Sequence, residues 1–293
     1  MELEHSYIET NGIRLYVVQA GPKSGIPVVL LHGFPEFWYG WRKQIPALVN
    51  AGCRVVVPDQ RGYNLSDKPK DKKDYDISTL VDDVVGLIKA LDYEKINLVG
   101  HDWGGGVAWM FAMNHPEKLH KLAILNSPHP AVYRRSLQRD PDQIRRSWYW
   151  LFFQLPRLAE KILSANDFRE MVRGLRNSSV KNTFTNEDIE TYKAAWSQPG
   201  TLTSMLNWYR AVFQFPPKMP ADVQVKTRTL MMWGMKDFAL SHRLARPSMD
   251  YCDDRNLILF PESTHWLHHD AADEVNHYLI DFLFDSITKR AIK

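Results

Sequence analysis

One aspartate stands in a sequence context that suits a nucleophile. Residues 96–99 form an apolar run typical of a buried strand, and the segment GHDWG at 100–104 then predicts a tight turn into a helix. Asp102 is at the centre of that turn. A carboxylate at a helix N-terminus is kept ionised by the helix dipole and needs no base to remove a proton. Such a group attacks strained or activated saturated carbon and leaves an ester that water must cleave.

Two later residues have the types and positions of its helpers. Asp237 and His265 each follow an apolar strand pattern, and functional groups of doubly wound sheets gather at the carboxyl ends of strands. Along the chain, the order nucleophile, acid, histidine is that of hydrolases whose nucleophile lies in a tight strand-to-helix turn, called the nucleophile elbow. Taken singly, Asp237 could cap a helix, and His265 could be a surface histidine or a core histidine whose hydrogen bonds are all made. His268 and His269 are alternative bases, although we expect them to open the final helix.

The elements that must position these residues alternate along the chain. Asn11-Gly12 predicts a hairpin turn, and short apolar runs predict buried parallel strands. Helices are predicted at 77–91, capped by Asp76, at 103–114 and at 272–288. The sequence therefore predicts an α/β fold: a mostly parallel eight-stranded sheet flanked by helices in three layers. The strand patterns from which this is inferred lie at residues 7–10, 13–18, 28–31, 54–57, 96–99, 122–125, 229–232 and 257–260.

One interval interrupts the alternation. Residues 126–228 carry no strand pattern but much helix-like, aromatic-rich sequence, and about a hundred residues are too many for a structureless loop. We expect a helical cap domain at 128–227, inserted into a core domain made of 1–127 and 228–293. The cleft between them is the expected substrate site.

Backbone groups complete the expected site. The loop at 32–35 follows a buried strand, and in such folds it supplies one N–H of an oxyanion hole, the residue after the nucleophile supplying the other. These donors are the amides of Phe34 and Trp103. Pro35 is a candidate for a cis peptide. Without the rest of the site, the same loop would be interpreted as an ordinary strand-to-loop break.

Composition excludes several other classes. The formal net charge is only +3 and basic residues alternate with acids, so no nucleic-acid partner is expected. Two distant cysteines suggest a reducing compartment. No secretory signal is expected at the N-terminus, and the longest apolar run, 26–31, is too short to span a bilayer. We expect a cytoplasmic protein with no membrane partner, no cofactor and no metal, either monomer or homodimer.

The motifs together carry a resemblance. HGFPE at 32–36, DQRGY at 59–63, GHDWGG at 100–105, KDF at 236–238 and His265-Trp266 look like the α/β-hydrolase-fold epoxide hydrolases, over nearly the whole chain. The resemblance implies hydrolysis of epoxides to diols through an ester on Asp102, with His265 activating water and Asp237 orienting it. Two departures are Asn64 and Thr264, where the family often has glycine.

In that family, two cap tyrosines hold the epoxide oxygen. Tyr209 matches one of them closely and Tyr149 matches the other less closely, with Tyr133 and Tyr192 as alternatives. Such a tyrosine could equally be a packing residue. The expected substrate is a small apolar epoxide, aryl or alkyl, used with water. We expect it to be bound by Trp38, Trp150, Phe153, Trp208 and Trp266.

Other functions remain open on the sequence. A haloalkane dehalogenase shares the fold and the Asp nucleophile, but it needs two N–H donors for the halide. Trp103 could be one donor, and Phe34 stands where many relatives have the second. Asn126 also replaces the acid of some dehalogenases. A serine esterase is excluded because the elbow has no serine, and a binding protein without turnover is the remaining alternative.

Overall fold

The fold is built on one eight-stranded sheet. A computed structural model describes residues 1–285, with sheet order β1-β2-β4-β3-β5-β6-β7-β8. Strands β1, β2 and β4 pair antiparallel, and all other pairs are parallel. The predicted mostly parallel sheet is confirmed. The strands are β1 (Glu4–Thr10), β2 (Ile13–Ala20), β3 (Ile26–Leu31), β4 (Cys53–Pro58), β5 (Ile96–His101), β6 (Leu119–Leu125), β7 (Thr229–Gly234) and β8 (Arg255–Phe260).

The β1–β2 hairpin follows from its turn residues. Thr10 pairs with Ile13 across the turn, and Asn11 and Gly12 have φ of 46° and 76°. A two-residue type I′ turn needs positive φ at both positions, which Asn and Gly adopt at the lowest cost. The predicted hairpin is confirmed.

Helices cover both faces of the sheet. They are α1 (Gln44–Asn50), α2 (Ile77–Ala90), α3 (Trp103–Asn114), α4 (Pro130–Arg139), α5 (Pro141–Arg146), α6 (Trp148–Phe153), α7 (Leu158–Ser178, kinked at 165–168), α8 (Asn186–Trp196), α9 (Thr201–Gln214), α10 (Ala245–Met249), α11 (Leu267–Asp270) and α12 (Ala272–Leu283). As predicted, Asp76 caps α2 by accepting hydrogen bonds from the amides of Ser78 and Thr79. The last helix was predicted to run to 288, but α12 ends at Leu283; residues 286–288 of the prediction lie outside the described part.

Alternating strand residues feed two cores. In β3, Val29 and Leu31 pack into the core on one face of the sheet, and Val28 and Leu30 pack into the core on the other. All four are fully buried, and burying each such side chain stabilises the fold by about 1.5–3 kcal/mol. Burial on both faces explains why the parallel strands appear in the sequence as continuous apolar runs.

The chain between β6 and β7 is helical. Six helices, α4 to α9, occupy it, and in the described residues its one β contact is a bridge from Val225 to Cys252. Indole N–H groups tie the segment to loops that follow core strands, because Trp196 donates to the Pro35 carbonyl (2.7 Å) and Trp208 to the Arg61 carbonyl (3.0 Å). The segment therefore lies over the carboxyl ends of the strands. None of the helices in residues 1–285 is long and apolar enough to cross a membrane.

Candidate active site

Asp102 sits in a strained turn between β5 and α3. Its φ of 50° is rare for a non-glycine residue, and such strain persists only where surrounding structure holds it. The turn also needs close packing, because a Cβ on Gly104 would collide with the Leu31 carbonyl. The Asp102 carbonyl accepts from the Ser127 hydroxyl (2.8 Å) and the Gly106 amide (3.0 Å). The turn thus fixes where the carboxylate points.

The two carboxylate oxygens of Asp102 have different surroundings. Oδ1 accepts a hydrogen bond of 2.9 Å from the Phe34 amide. The approach is close, because a Cβ on Gly33 would overlap the Asp102 side chain. Oδ2 lies 3.6 Å from His265 Nε2. Trp103 begins α3, so its amide is one of the N–H groups that a helix leaves free in its first turn. The Phe34–Pro35 peptide is cis, as expected.

Asp237 and His265 form a buried pair. His265 Nδ1 is 2.7 Å from Asp237 Oδ2, and Asp237 Oδ1 accepts from the amides of Ala239 (2.8 Å) and Leu240 (2.9 Å). Burial of the imidazole disfavours its charged form, but the Asp237 carboxylate outweighs this and raises the pKa of His265 to about 9. The carboxylate of Asp102 adds to the rise. The structure therefore brings the three residues together around the His265 ring, with Asp237 hydrogen-bonded to Nδ1 at 2.7 Å and Asp102 Oδ2 lying 3.6 Å from Nε2.

Asn126 is a site residue that the sequence analysis did not assign. It follows β6 with φ of 40°, its Nδ2 donates to Asp237 Oδ2 (2.7 Å), and its Oδ1 accepts from the Gly234 amide (3.0 Å). Asn126 therefore positions Asp237 and does not take over its role as the acid. One sequence feature could have identified Asn126: it is a polar residue of a type that tolerates positive φ, and it directly follows a buried parallel strand.

Two cavities meet at the nucleophile. One of about 520 Å³ and one of about 700 Å³ are both lined by Asp102, Tyr149 on α6 and Tyr209 on α9. Burial raises the pKa of both tyrosines well above the ordinary value near 10, and Asp102 raises it further. Both phenols are therefore protonated at neutral pH.

The alternative tyrosines are placed differently. Tyr133 lines the smaller cavity, with its hydroxyl 3.1 Å from Ser147 Oγ. Tyr192 is fully buried and donates to Glu36 Oε1 (2.5 Å), away from both cavities. Tyr133 therefore remains near the nucleophile, whereas Tyr192 does not.

The five expected substrate-binding aromatics divide into two groups. Trp150 lines the smaller cavity, and Phe153 and Trp266 line the larger one. Trp38 and Trp208 line neither of these two cavities. Trp38 packs near the β1–β2 hairpin, and Trp208, next to Tyr209 on α9, is fully buried against the core. Adjacent helix residues point about 100° apart, so proximity in a motif does not place both side chains in the cleft.

Comparison with known proteins identifies the family. The model of the alpha/beta hydrolase fold matches residues 26–272. The chain belongs to this family. Over 278 residues it is 46% identical to the AB hydrolase superfamily protein YfhM of Bacillus subtilis, covering 94% of this chain and 96% of that one. It is 37% identical to mouse epoxide hydrolase 4, covering 95% and 79%.

A solved structure agrees over nearly the whole fold. The Bacillus megaterium epoxide hydrolase, crystallised with an inhibitor, superposes with a TM-score of 0.88 at 30% identity, covering 95% of this chain and all of that one. The resemblance to epoxide hydrolases that the motifs carried is confirmed, and this alpha/beta hydrolase is an enzyme.

Two basic residues line the cavity walls. Exposed Arg134 lines the smaller cavity, and Arg173 lines the larger one within 3.3 Å of Glu170. Arg210, which follows Tyr209 on α9, is buried and paired with Glu160 (2.7 Å). Both cavity-lining arginines are therefore at exposed positions.

His268 and His269 form a separate buried cluster with Glu36. They lie on the short helix α11 rather than opening α12, which corrects the expectation. Their Nε2 atoms are 3.0 and 2.7 Å from the Glu36 carboxylate, a spacing that could suit a metal. However, Arg42 Nη1 is 3.1 Å from His269 Nδ1. A guanidinium only donates, so His269 Nε2 carries the proton that Glu36 accepts. We therefore interpret the cluster as a hydrogen-bonded one.

Proposed function

We propose that this alpha/beta hydrolase is an epoxide hydrolase that forms a covalent ester on Asp102. One observation carries the proposal: the Asp102 carboxylate lies between His265 and the walls formed by Tyr149 and Tyr209, with one oxygen held by the Phe34 amide. Nucleophile, proton donors and hydrolytic base thus surround one point. The names of several relatives support the same activity.

In the first step, Asp102 opens the epoxide. Because Oδ1 is held by the Phe34 amide, Oδ2 is the oxygen that attacks carbon. A bond from Oδ2 to carbon forms, the carbon–oxygen bond of the ring breaks, and the oxygen takes a proton from Tyr149 or Tyr209. Their raised pKa values keep these donors protonated until alkoxide charge develops.

In the second step, water cleaves the ester at its carbonyl carbon. Forming the ester removes the Asp102 charge, one of the causes that raise the pKa of His265. The imidazole then gives up its proton more readily, which restores the tyrosine that protonated the epoxide oxygen, and the neutral ring takes a proton from the attacking water while Asp237 holds it in place. The tetrahedral adduct breaks its bond to the ester oxygen, which takes the proton from His265 and leaves as the second hydroxyl of the diol. The amides of Phe34 and Trp103 stabilise the oxyanion, each contributing on the order of 3 kcal/mol.

The substrate class follows from the walls. Both cavities are lined mainly by apolar and aromatic side chains, and burial of a phenyl ring there contributes about 2–3 kcal/mol. A variant of the Bacillus megaterium enzyme was crystallised with a naphthyloxy-propanediol product. We propose apolar aryl or alkyl epoxides as substrates, held under residues 128–227 acting as a cap domain.

An isotope experiment tests the ester directly. In a single turnover in oxygen-18 water, the first diol carries unlabelled oxygen because its new oxygen comes from Asp102. His265→Gln accumulates an alkyl-enzyme adduct, seen as added mass on the intact protein. Full labelling of the first diol would refute covalent catalysis by Asp102. Halide release from a haloalkane, without diol formation from an epoxide, would instead identify a dehalogenase.

A further inference from the structure

Exposed apolar side chains concentrate on one stretch of the helical cap. Of the fourteen large apolar residues exposed within residues 1–285, six fall between positions 144 and 162. They recur every three or four residues, although the stretch passes from α5 through α6 into α7. Trp148 and Leu151 are 65% and 66% exposed, which is unusual for large side chains with no partner. The six are Ile144, Trp148, Leu151, Leu155, Leu158 and Ile162.

The charges in this stretch that have no ion-pair partner among the described residues are positive. Between positions 144 and 166 the one acid is Glu160, and it is already paired with the buried guanidinium of Arg210. Arg157 and Lys161 are exposed among the apolar residues, and no ion pair among the described residues involves either. Exposed side chains from 144 to 162, here named the cap face, are thus apolar and cationic.

We propose that the cap face docks on an anionic lipid bilayer. Apolar side chains with an interfacial Trp and interspersed Lys and Arg are the pattern that binds at the headgroup boundary. A second copy of the chain fits less well, because a twofold contact brings the same patch to itself. The cap face would then place Arg157 and Lys161 against like charges, with no free acid to pair with them.

The docked face adjoins the route to the nucleophile. Trp148 and Ile162 both line the larger cavity, which extends to Asp102 and His265. A lipophilic epoxide dissolved in the bilayer would therefore enter without crossing water. Delivery of an epoxide from the bilayer rests on the proposed function, whereas docking of the cap face on the bilayer does not. The sequence predicted no membrane partner because it lacks a spanning segment, and surface docking needs no such segment.

Co-sedimentation with sucrose-loaded vesicles tests docking without any turnover measurement. The full-length protein is expected to sediment with vesicles of 1:1 phosphatidylcholine and phosphatidylglycerol, and much less with phosphatidylcholine alone. The triple variant Leu151→Ser, Leu155→Ser, Leu158→Ser changes residues that line neither cavity. Its partition coefficient is expected to fall at least about tenfold, since each leucine loses apolar burial.

Charge variants separate docking from non-specific attraction. Arg157→Ala with Lys161→Ala is expected to lower partitioning at least about tenfold. Lys89→Ala with Lys95→Ala removes the same charge from exposed positions outside the cap face and should leave partitioning within about twofold. The proposal would be overturned if both pairs of substitutions lowered partitioning equally. It would also be overturned if the leucine variant partitioned onto vesicles as strongly as the wild-type protein. Absence of vesicle binding, together with a concentration-dependent dimer that the leucine variant loses, would assign the face to a second copy. Diol formation from a water-soluble epoxide remains a separate test of the activity.

Discussion

Replacing Asn126 by aspartate should make stability depend on pH in a defined way. The change is nearly isosteric, and aspartate also tolerates the φ of 40° at this position. It exchanges a donor 2.7 Å from Asp237 Oδ2 for a second carboxyl oxygen. Two unit charges about 4 Å apart repel by about 4 kcal/mol at an effective dielectric of 20. The pair therefore keeps one proton to a higher pH than an ordinary carboxyl does.

The sign and size of the effect follow from linkage. About 4 kcal/mol corresponds to a carboxyl pKa about 3 units above its value of about 3.9 in the unfolded chain. At low pH the protonated carboxyl still donates to Asp237, and stability is close to that of the wild type. As pH rises above about 4, the unfolded state loses this proton first, so stability falls by about 1.4 kcal/mol per pH unit until about pH 7.

Thermal unfolding from pH 4.5 to 8.5 measures this loss. At about 2 °C per kcal/mol for a chain of this size, the Tm of Asn126→Asp should fall about 3 °C below wild type near pH 5. Near pH 8 the difference should reach about 8 °C. Asn182→Asp is the matched control, because Asn182 is exposed and has φ of 68°, and its Tm should stay within about 1 °C of wild type. A constant Tm difference across this range would refute the reasoning.

Three further outcomes test the chemistry. Asp237→Asn removes the carboxylate that raises the pKa of His265. In stopped-flow tryptophan fluorescence, ester hydrolysis by this variant should reach its plateau at lower pH than in the wild type and run at least about 100-fold slower. An unchanged pH midpoint would contradict the coupling between Asp237 and His265. Tyr149→Phe and Tyr209→Phe should each slow adduct formation by about 10²-fold or more, and an unaffected alkylation rate in either would exclude that tyrosine as donor. Phenyl glycidyl ether should exceed an epoxysuccinate in kcat/KM by about 100-fold or more, and equal turnover would show that a basic group reaches the bound substrate.

Much of the scaffold could be predicted because its signals are local. Continuous apolar runs located the six strands from β3 to β8, Asn11-Gly12 located the turn of the β1–β2 hairpin, and Asp76 located a helix cap. Each depends on backbone preferences within a few residues. The predicted assignment of His268 and His269 to the final helix was wrong: they lie on α11, where both contact Glu36, a residue distant in sequence.

The sequence by itself determined which residue types could react and in what order they occur. Asp102 at a glycine-flanked turn and Asp237 and His265 after later strands were identifiable because each occupies a recognisable local position. Only the tertiary structure decided how far apart side chains lie and which of them face the cavities. Examples are the 2.7 Å contact of Asn126 with Asp237 and the burial of Trp208 beside the cavity-lining Tyr209. Such contacts join segments about a hundred residues apart, or depend on which face of a helix meets the core. Local preferences do not encode either, since both are set by the packing of the whole chain.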